Sequence, residues 1–308
     1  MAEIISINLP LSKVAIDYFN QDDNFIATKV LNPIKGDKAG IYYKFGKEAF
    51  MLENDLRANG SPSNRIVSFT TGTASYATEK HSLHDVITDD DRRLADKLGI
   101  DADKQAIKKL TQKLKLRLEY TVSSTLAGVT QGTTLSGTAQ WSNGTGSDPI
   151  SDIEKAKSTI LKNCGMLPNI CVMGYEVFVA LRQHPDLLDV FKYTRPGYLN
   201  EEQLAAAIGV EKVLVGSVVY NTAKEGKTPS SSFMWGKDCY LLYRNNSASA
   251  IDDPTAGFIV VYSENGLDVK VKKWRDEDVE GDKIEATIEY AVVLSAPEAI
   301  YAIKSAVA

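Results

Sequence analysis

The side chains able to do chemistry are few and scattered. The chain has three histidines, His81, His84 and His184. In the run "HSLHD", His81, His84 and Asp85 invite a metal site, since residues three apart share one face of a helix. A metal site needs a third and a fourth ligand, and no motif places them, so exposed loop histidines are the favoured reading. His184, directly before Pro185, reads as a helix-end residue near the last carbonyls. Cys164, Cys171 and Cys239 make an odd count with no C-x-x-C. They read as buried free thiols in a reducing compartment. Cys164 could pair with a distant histidine for nucleophilic work, but no nucleophile signature surrounds it. There is no G-x-S-x-G elbow. Nor is there a G-x-G-x-x-G after a strand, or a G-x-x-x-x-G-K-S/T phosphate loop. Asp276, Glu277, Asp278, Glu280 and Asp282 lack the alternation and turn glycine of a calcium loop, so they read as a solvated hairpin tip. No catalytic, cofactor-binding or metal residue emerges, which shifts the reading towards a structural role.

Composition agrees with an ordinary globular protein. The 308 residues are 44% hydrophobic and 24% charged, enough for one large domain or two modest ones. The formal net charge of −5 disfavours a dedicated nucleic-acid binder, though not a protein that encloses nucleic acid without gripping it. "MAEIISINLP" has no basic start or long apolar run. No stretch reaches the roughly 18 apolar residues of a membrane span. A cytoplasmic product is expected.

The elements that must carry any site can be placed from pattern. Residues 1–30 mix short apolar patches with polar breaks and read as an arm lying along another surface. From Asn32 to about Ala77, "GIYYKFGKEAF" and "RIVSFTTGTASYAT" flank the turn cluster "ANGSPSN", as two extended segments of a long hairpin. Ile107, Leu110, Leu114, Leu118 and Val122 form one stripe of a long helix that Asp101 or Asp103 can cap and Gly128 can end. Its lysine-rich face, Lys104, Lys108, Lys109, Lys113, Lys115 and Arg117, reads by default as solvated. Asp148 and Pro149 start a helix whose Ile150, Ile153, Ile160, Leu161 and Cys164 share a face, ended by Gly165. "NICVM" reads as a buried strand, and "GYEVFVALRQHP" as a helix stopped by Pro185. Asn200 with Gln203 forms a capping box, and "EKVLVGSVVYN" is a second buried strand. "FMWG", "DCYLLYRN" and "GFIVVY" are further strand candidates. In "GLDVKVKKW", Leu267, Val269 and Val271 alternate as on a half-buried strand, with "KIEATIEYAVVL" as its partner.

The runs "SDPISDIEKAKSTILKNCGMLPNICVMGYEVFVALRQHP" and "QLAAAIGVEKVLVGSVVYNTA" resemble the major capsid proteins of tailed bacteriophages, most strongly over 147–223. That resemblance implies an α+β, Hong Kong 97-like fold. Residues 1–30 would be an N-terminal arm and 31–77 an extended loop. Residues 78–128 and 264–296 would be a peripheral domain with a spine helix. Residues 129–263 and 297–308 would be an α/β axial domain, with "EAIYAI" returning to it as a strand. It implies no enzyme and no cofactor. The implied role is a structural protein assembling as hexamers and pentamers into an icosahedral shell around double-stranded DNA. The implied locations are the virion and, during assembly, the host cytoplasm. Copies of itself are the expected partners, with a separate scaffolding protein, a portal and a decoration protein as the others the family offers, and no membrane. Ile41, Tyr42, Tyr43, Phe45 and Phe50 of the loop, with Ile5 and Phe19 of the arm, are the expected subunit contacts. Lys35, Lys38, Lys44 and Lys47 also lie in the loop, but nothing identifies a cross-link partner, so no covalent cross-linking is expected. Two other readings stay open: an encapsulin-type compartment shell, and a cytoplasmic α/β enzyme with a site around Cys164, His184 and the strand ends.

Overall fold

A computed structural model describes residues 20–44, 72–191, 199–224, 226–245, 254–262 and 269–308, with positions 50, 52, 55–57, 59, 60 and 63 between them. In chain order the elements begin with α1 (Ala27–Val30), β1 (Asn32–Lys35), β2 (Ala39–Lys44), β3 (Gly72–Ala77) and β4 (Glu79–Thr88). Helices α2 (Asp89–Lys97) and α3 (Ala102–Ala127) follow, then β5 (Gly132–Thr134) and α4 (Pro149–Cys164). Next come β6 (Ile170–Gly174), α5 (Tyr175–Leu181), α6 (Pro185–Phe191), α7 (Glu201–Ile208), β7 (Lys212–Gly216), β8 (Val219–Asn221) and β9 (Ser231–Phe233). The last strands are β10 (Cys239–Leu242), β11 (Phe258–Val261), β12 (Lys270–Asp276), β13 (Gly281–Val293) and β14 (Ile300–Lys304).

Strand β13 organises the first sheet. It pairs antiparallel with β4 along one edge, and with β12 and β11 along the other; β1 adds to β11 in parallel. Because side chains alternate faces along a strand, Ile284, Ala286, Ile288 and Tyr290 are buried. Lys283, Glu285, Thr287 and Glu289 point the other way. The buried face meets α3, which presents Ala106, Leu110, Leu114, Leu118, Val122 and Leu126 to the same core. At 26 residues, α3 is about 39 Å long. Asp101 accepts from Lys104 N at 3.1 Å to cap its start, and Gly128 follows its last turn. Arg92 bridges Asp103 and Asp282, and Lys273 reaches the same two carboxylates, tying α2, α3, β12 and β13 together.

The second sheet runs β5-β14-β10-β6-β7. Both its faces are covered, which is why "NICVM" is apolar without alternation. Ile170 and Val172 join the core that contains α3, whereas Cys171 and Met173 face α4, α5 and α7. The two sheets therefore share one core through α3. Asp148 caps α4 by accepting from Ser151 N at 2.9 Å, and Gly165 ends it at φ 73°. The Asn200–Gln203 capping box is present on α7.

Several expectations change. His81 and His84 lie on strand β4, not in a loop, where residues three apart fall on opposite faces. Pro185 does not merely stop a helix; it starts α6, using its fixed φ at the first helical position. In α4 the buried positions are Pro149, Ile153, Ala156, Lys157 and Ile160, while Leu161 is exposed. Val271 is also exposed on β12 and only Val269 packs against the core; Leu267 lies outside the described residues. The strand at 258–261, grouped by the resemblance with 129–263, hydrogen-bonds into the first sheet. "EAIYAI" supplies β14 of the second sheet, as expected.

Candidate assembly surfaces

The groups proposed for chemistry are dispersed and occupied. His184 is buried, with Nε2 3.0 Å from Ser147 Oγ and Nδ1 accepting from Asp186 N at 3.4 Å. Since Ser147 Oγ donates to Asn143 O at 2.6 Å, the imidazole donates through Nε2 and its other nitrogen caps α6. Ser147 precedes α4 and Cys164 ends it. A 16-residue helix is about 24 Å long, so Cys164 and His184 do not meet. Burial also pushes the Cys164 thiol up in pKa, the reverse of an activated nucleophile. Cys171 and Cys239 are buried free thiols with sulfurs 3.5 Å apart. His81 stacks on Tyr290 at 4.5 Å, and burial lowers its pKa, while His84 is exposed. Among the described residues no group of three His, Cys, Asp or Glu could hold a metal, and no helix is long and apolar enough to cross a membrane.

What the molecule exposes instead is apolar surface. Strands β2 and β3 pair antiparallel from Ala39↔Ala77 to Lys44↔Gly72, forming the base of the expected loop. Ile41 is 68% exposed on it, and Tyr43 is exposed as well. Tyr42 turns the other way and meets the Phe258 ring edge-on at 6.1 Å, so it serves the chain's own small core with Ile34 and Val260. Phe50 is exposed with its ring against Gly165. Leu52 and Leu56 are more exposed still, Leu56 at 82%; the sequence reading passed over both, although each is a leucine in a polar stretch. Ile5, Phe19 and Phe45 lie outside the described residues.

The arm expectation is corrected where it can be seen. Residues 20–30 lie along the chain's own α3. Asn20 exchanges two hydrogen bonds with the Val219 backbone, and Asp22 pairs with Lys115 at 2.8 Å. Glu119, fully buried, accepts from Ile26 N at 3.2 Å, Ala27 N at 2.9 Å and Trp235 Nε1 at 2.6 Å. Pattern reading missed Glu119; its signal is position, since it shares a helix face with Ser123 and Leu126. On the lysine-rich face of α3, Lys109 pairs with Asp85 and Lys115 with Asp22. Those lysines serve the subunit itself.

A long helix crossing one sheet, a second sheet clothed in short helices, and a two-stranded ribbon with an exposed apolar face together make a recognisable subunit. The chain superposes with a TM-score of 0.72 on the crystal structure of a phage-related protein from Bordetella bronchiseptica RB50, at 25% identity and 97% coverage of each chain. It superposes on the mature capsid subunit of bacteriophage PhiM1 with a TM-score of 0.58 at 13% identity, covering 99% of this chain and 91% of that one, a likeness of fold alone. The architecture is the Hong Kong 97-like capsid fold, and the class is that of capsid shell subunits. The family model described as phage major capsid protein E matches residues 127–305. The major capsid protein of Burkholderia phage BcepMu is 29% identical over 240 residues, 76% of this chain and 75% of that protein. The chain belongs to the phage major capsid protein E family and is a structural protein of the virion shell. That membership favours the viral shell over both the compartment and the enzyme readings.

Proposed function

We propose that the chain assembles as hexamers and pentamers into an icosahedral shell enclosing double-stranded phage DNA, without enzymatic activity. The layout proposed is an arm before residue 20, the loop at 31–77, the peripheral domain at 78–128 with 264–296 and the strand at 258–261, and the axial domain over the rest of 129–263 with 297–308. The observation that carries the reading is the exposure of five large apolar side chains in the loop region, Ile41, Tyr43, Phe50, Leu52 and Leu56. Covering a large apolar side chain contributes about 1.5–3 kcal/mol, so five give on the order of 10 kcal/mol per copy before ordering costs. A neighbouring copy supplies that cover, and contacts between unlike patches close by rotation into rings. The net charge of −5 suits a container that holds DNA without gripping its phosphates. Assembly takes place in the host cytoplasm, with a scaffolding protein and a portal as further partners.

Changing Ile41, Tyr43 and Phe50 together to serine tests this. The triple variant should keep the subunit's circular dichroism and melting temperature, yet lose particles by negative-stain microscopy. Intact spheres from it would end the proposal.

A further inference from the structure

On the first sheet's outer face, away from α3, lies a cleft of about 300 Å³ where Lys38, Lys80, Lys270 and Lys272 converge beside Tyr262 and Glu289. Strand register brings them together: Lys80 sits opposite Glu289, Lys270 opposite Thr287, and Lys272 opposite Glu285. Lys38 Nζ lies 5.1 Å from the centre of the exposed Tyr262 ring. Among the described residues, none of these four lysines has a carboxylate within 4.0 Å, unlike Lys109, Lys115 and Lys273. The nearby carboxylates are held by hydroxyls. Glu285 accepts from Ser82 at 2.7 Å and Thr287 at 2.9 Å, and Glu289 accepts from Thr78 at 3.0 Å. Four cations against two carboxylates leave a surplus of positive charge.

The opposite end of the same β12–β13 hairpin is its complement. Glu277, Asp278, Val279 and Glu280 are all exposed there. The turn is rigid: the Asp276 side chain accepts from Asp278 N at 3.1 Å, and Glu280 O accepts from Asp89 N at 3.0 Å. Arg275 grips Asp89 with two bonds of 2.6 and 2.8 Å and reaches Glu277 at 3.3 Å. Asp278 and Glu280 have no cation within 4.0 Å among the described residues. We propose that the acidic tip of one copy docks in the basic cleft of a second copy, with Val279 against Tyr262. This rests on the shell-forming reading above. The two surfaces cannot meet within one subunit, because the seven residues of β12 hold them about 20 Å or more apart. Between copies the contact joins unlike patches, the kind that closes into a ring. Tyr262 beside the lysines matches the apolar Val279 of the tip, a contact that a DNA phosphate backbone does not offer.

The test uses three full-length variants: Lys270→Glu with Lys272→Glu, Asp278→Lys with Glu280→Lys, and all four together. Particle yield is read by sedimentation and negative stain, and folding by thermal melts. Each two-site variant should fold and lose at least tenfold in particles, and the four-site variant should recover them. Wild-type yield from either two-site variant overturns the contact, including a cleft variant that forms shells but packages DNA poorly. So does a folded four-site variant without recovery. Should charge reversal impair folding, Lys272→Gln and Asp278→Asn should each lower the yield and flatten its salt dependence; an unchanged yield and salt profile would overturn the contact. A wild-type protein that never forms particles would sink the shell reading and this contact together.

Discussion

Glu119 shows what one residue does in this subunit. Its carboxylate joins the segment at Ile26 and Ala27 to α3 and to Trp235, which lies in the same core just before β10. Burial raises its pKa above the ordinary 4.5, and the N–H donors pull it only partway back. A carboxyl whose folded pKa exceeds its unfolded one holds its proton more tightly in the fold. Its contribution is therefore most favourable below about pH 4.5 and declines as pH rises through the raised folded value. The stability of wild type relative to Glu119→Gln, from denaturant melts, should fall across that window, and a flat difference would contradict the assignment. Its helix face was legible in the sequence, but not its partners. A buried acid looks like any helix glutamate until the chain brings distant donors to it.

At the scale of elements, local signals served well and long-range ones poorly. The caps at Asp101, Asp148, Asn200 and Gly165 mark their helices because each satisfies backbone groups within a few residues. Strand β4 went unread because its charged run "EKHSLHD" carries no alternation. It is a strand because β13 supplies ten partners along it. Likewise, the β11 sequence announces burial but not which sheet it joins. Among the described glycines, one of the closest approaches is at Gly174, where β6 enters α5; a Cβ there would run into the Gly236 carbonyl. Both atoms belong to backbone held by neighbours, so neither can yield. Gly174→Ala should cost at least the roughly 1–3 kcal/mol of overpacking, measured as a drop in melting temperature. An unchanged melt would show that the strand ends are looser than described.

The whole molecule divides its apolar surface between its own core and its neighbours. Ile26 and Val30 belong to its own core, which redraws the arm. Burial of each is worth about 1.5–3 kcal/mol, and a domain's whole stability is about 5–15 kcal/mol. Deleting residues 1–30 should therefore unfold the subunit, whereas a truncation ending at residue 19 leaves those side chains in place. Circular dichroism of the two truncations decides it, and a folded 31–308 protein would contradict the packing. The resemblance carried the fold and the role. It did not show which loop side chains turn inward, because Tyr42 and Tyr43 differ only by strand parity. The central claim is that copies of this chain cover one another's exposed flank. Sedimentation velocity of the purified wild-type protein, with negative-stain images of the same fractions, addresses it most directly. The account predicts capsomers and closed megadalton particles; a compact monomer or dimer under every condition would contradict it.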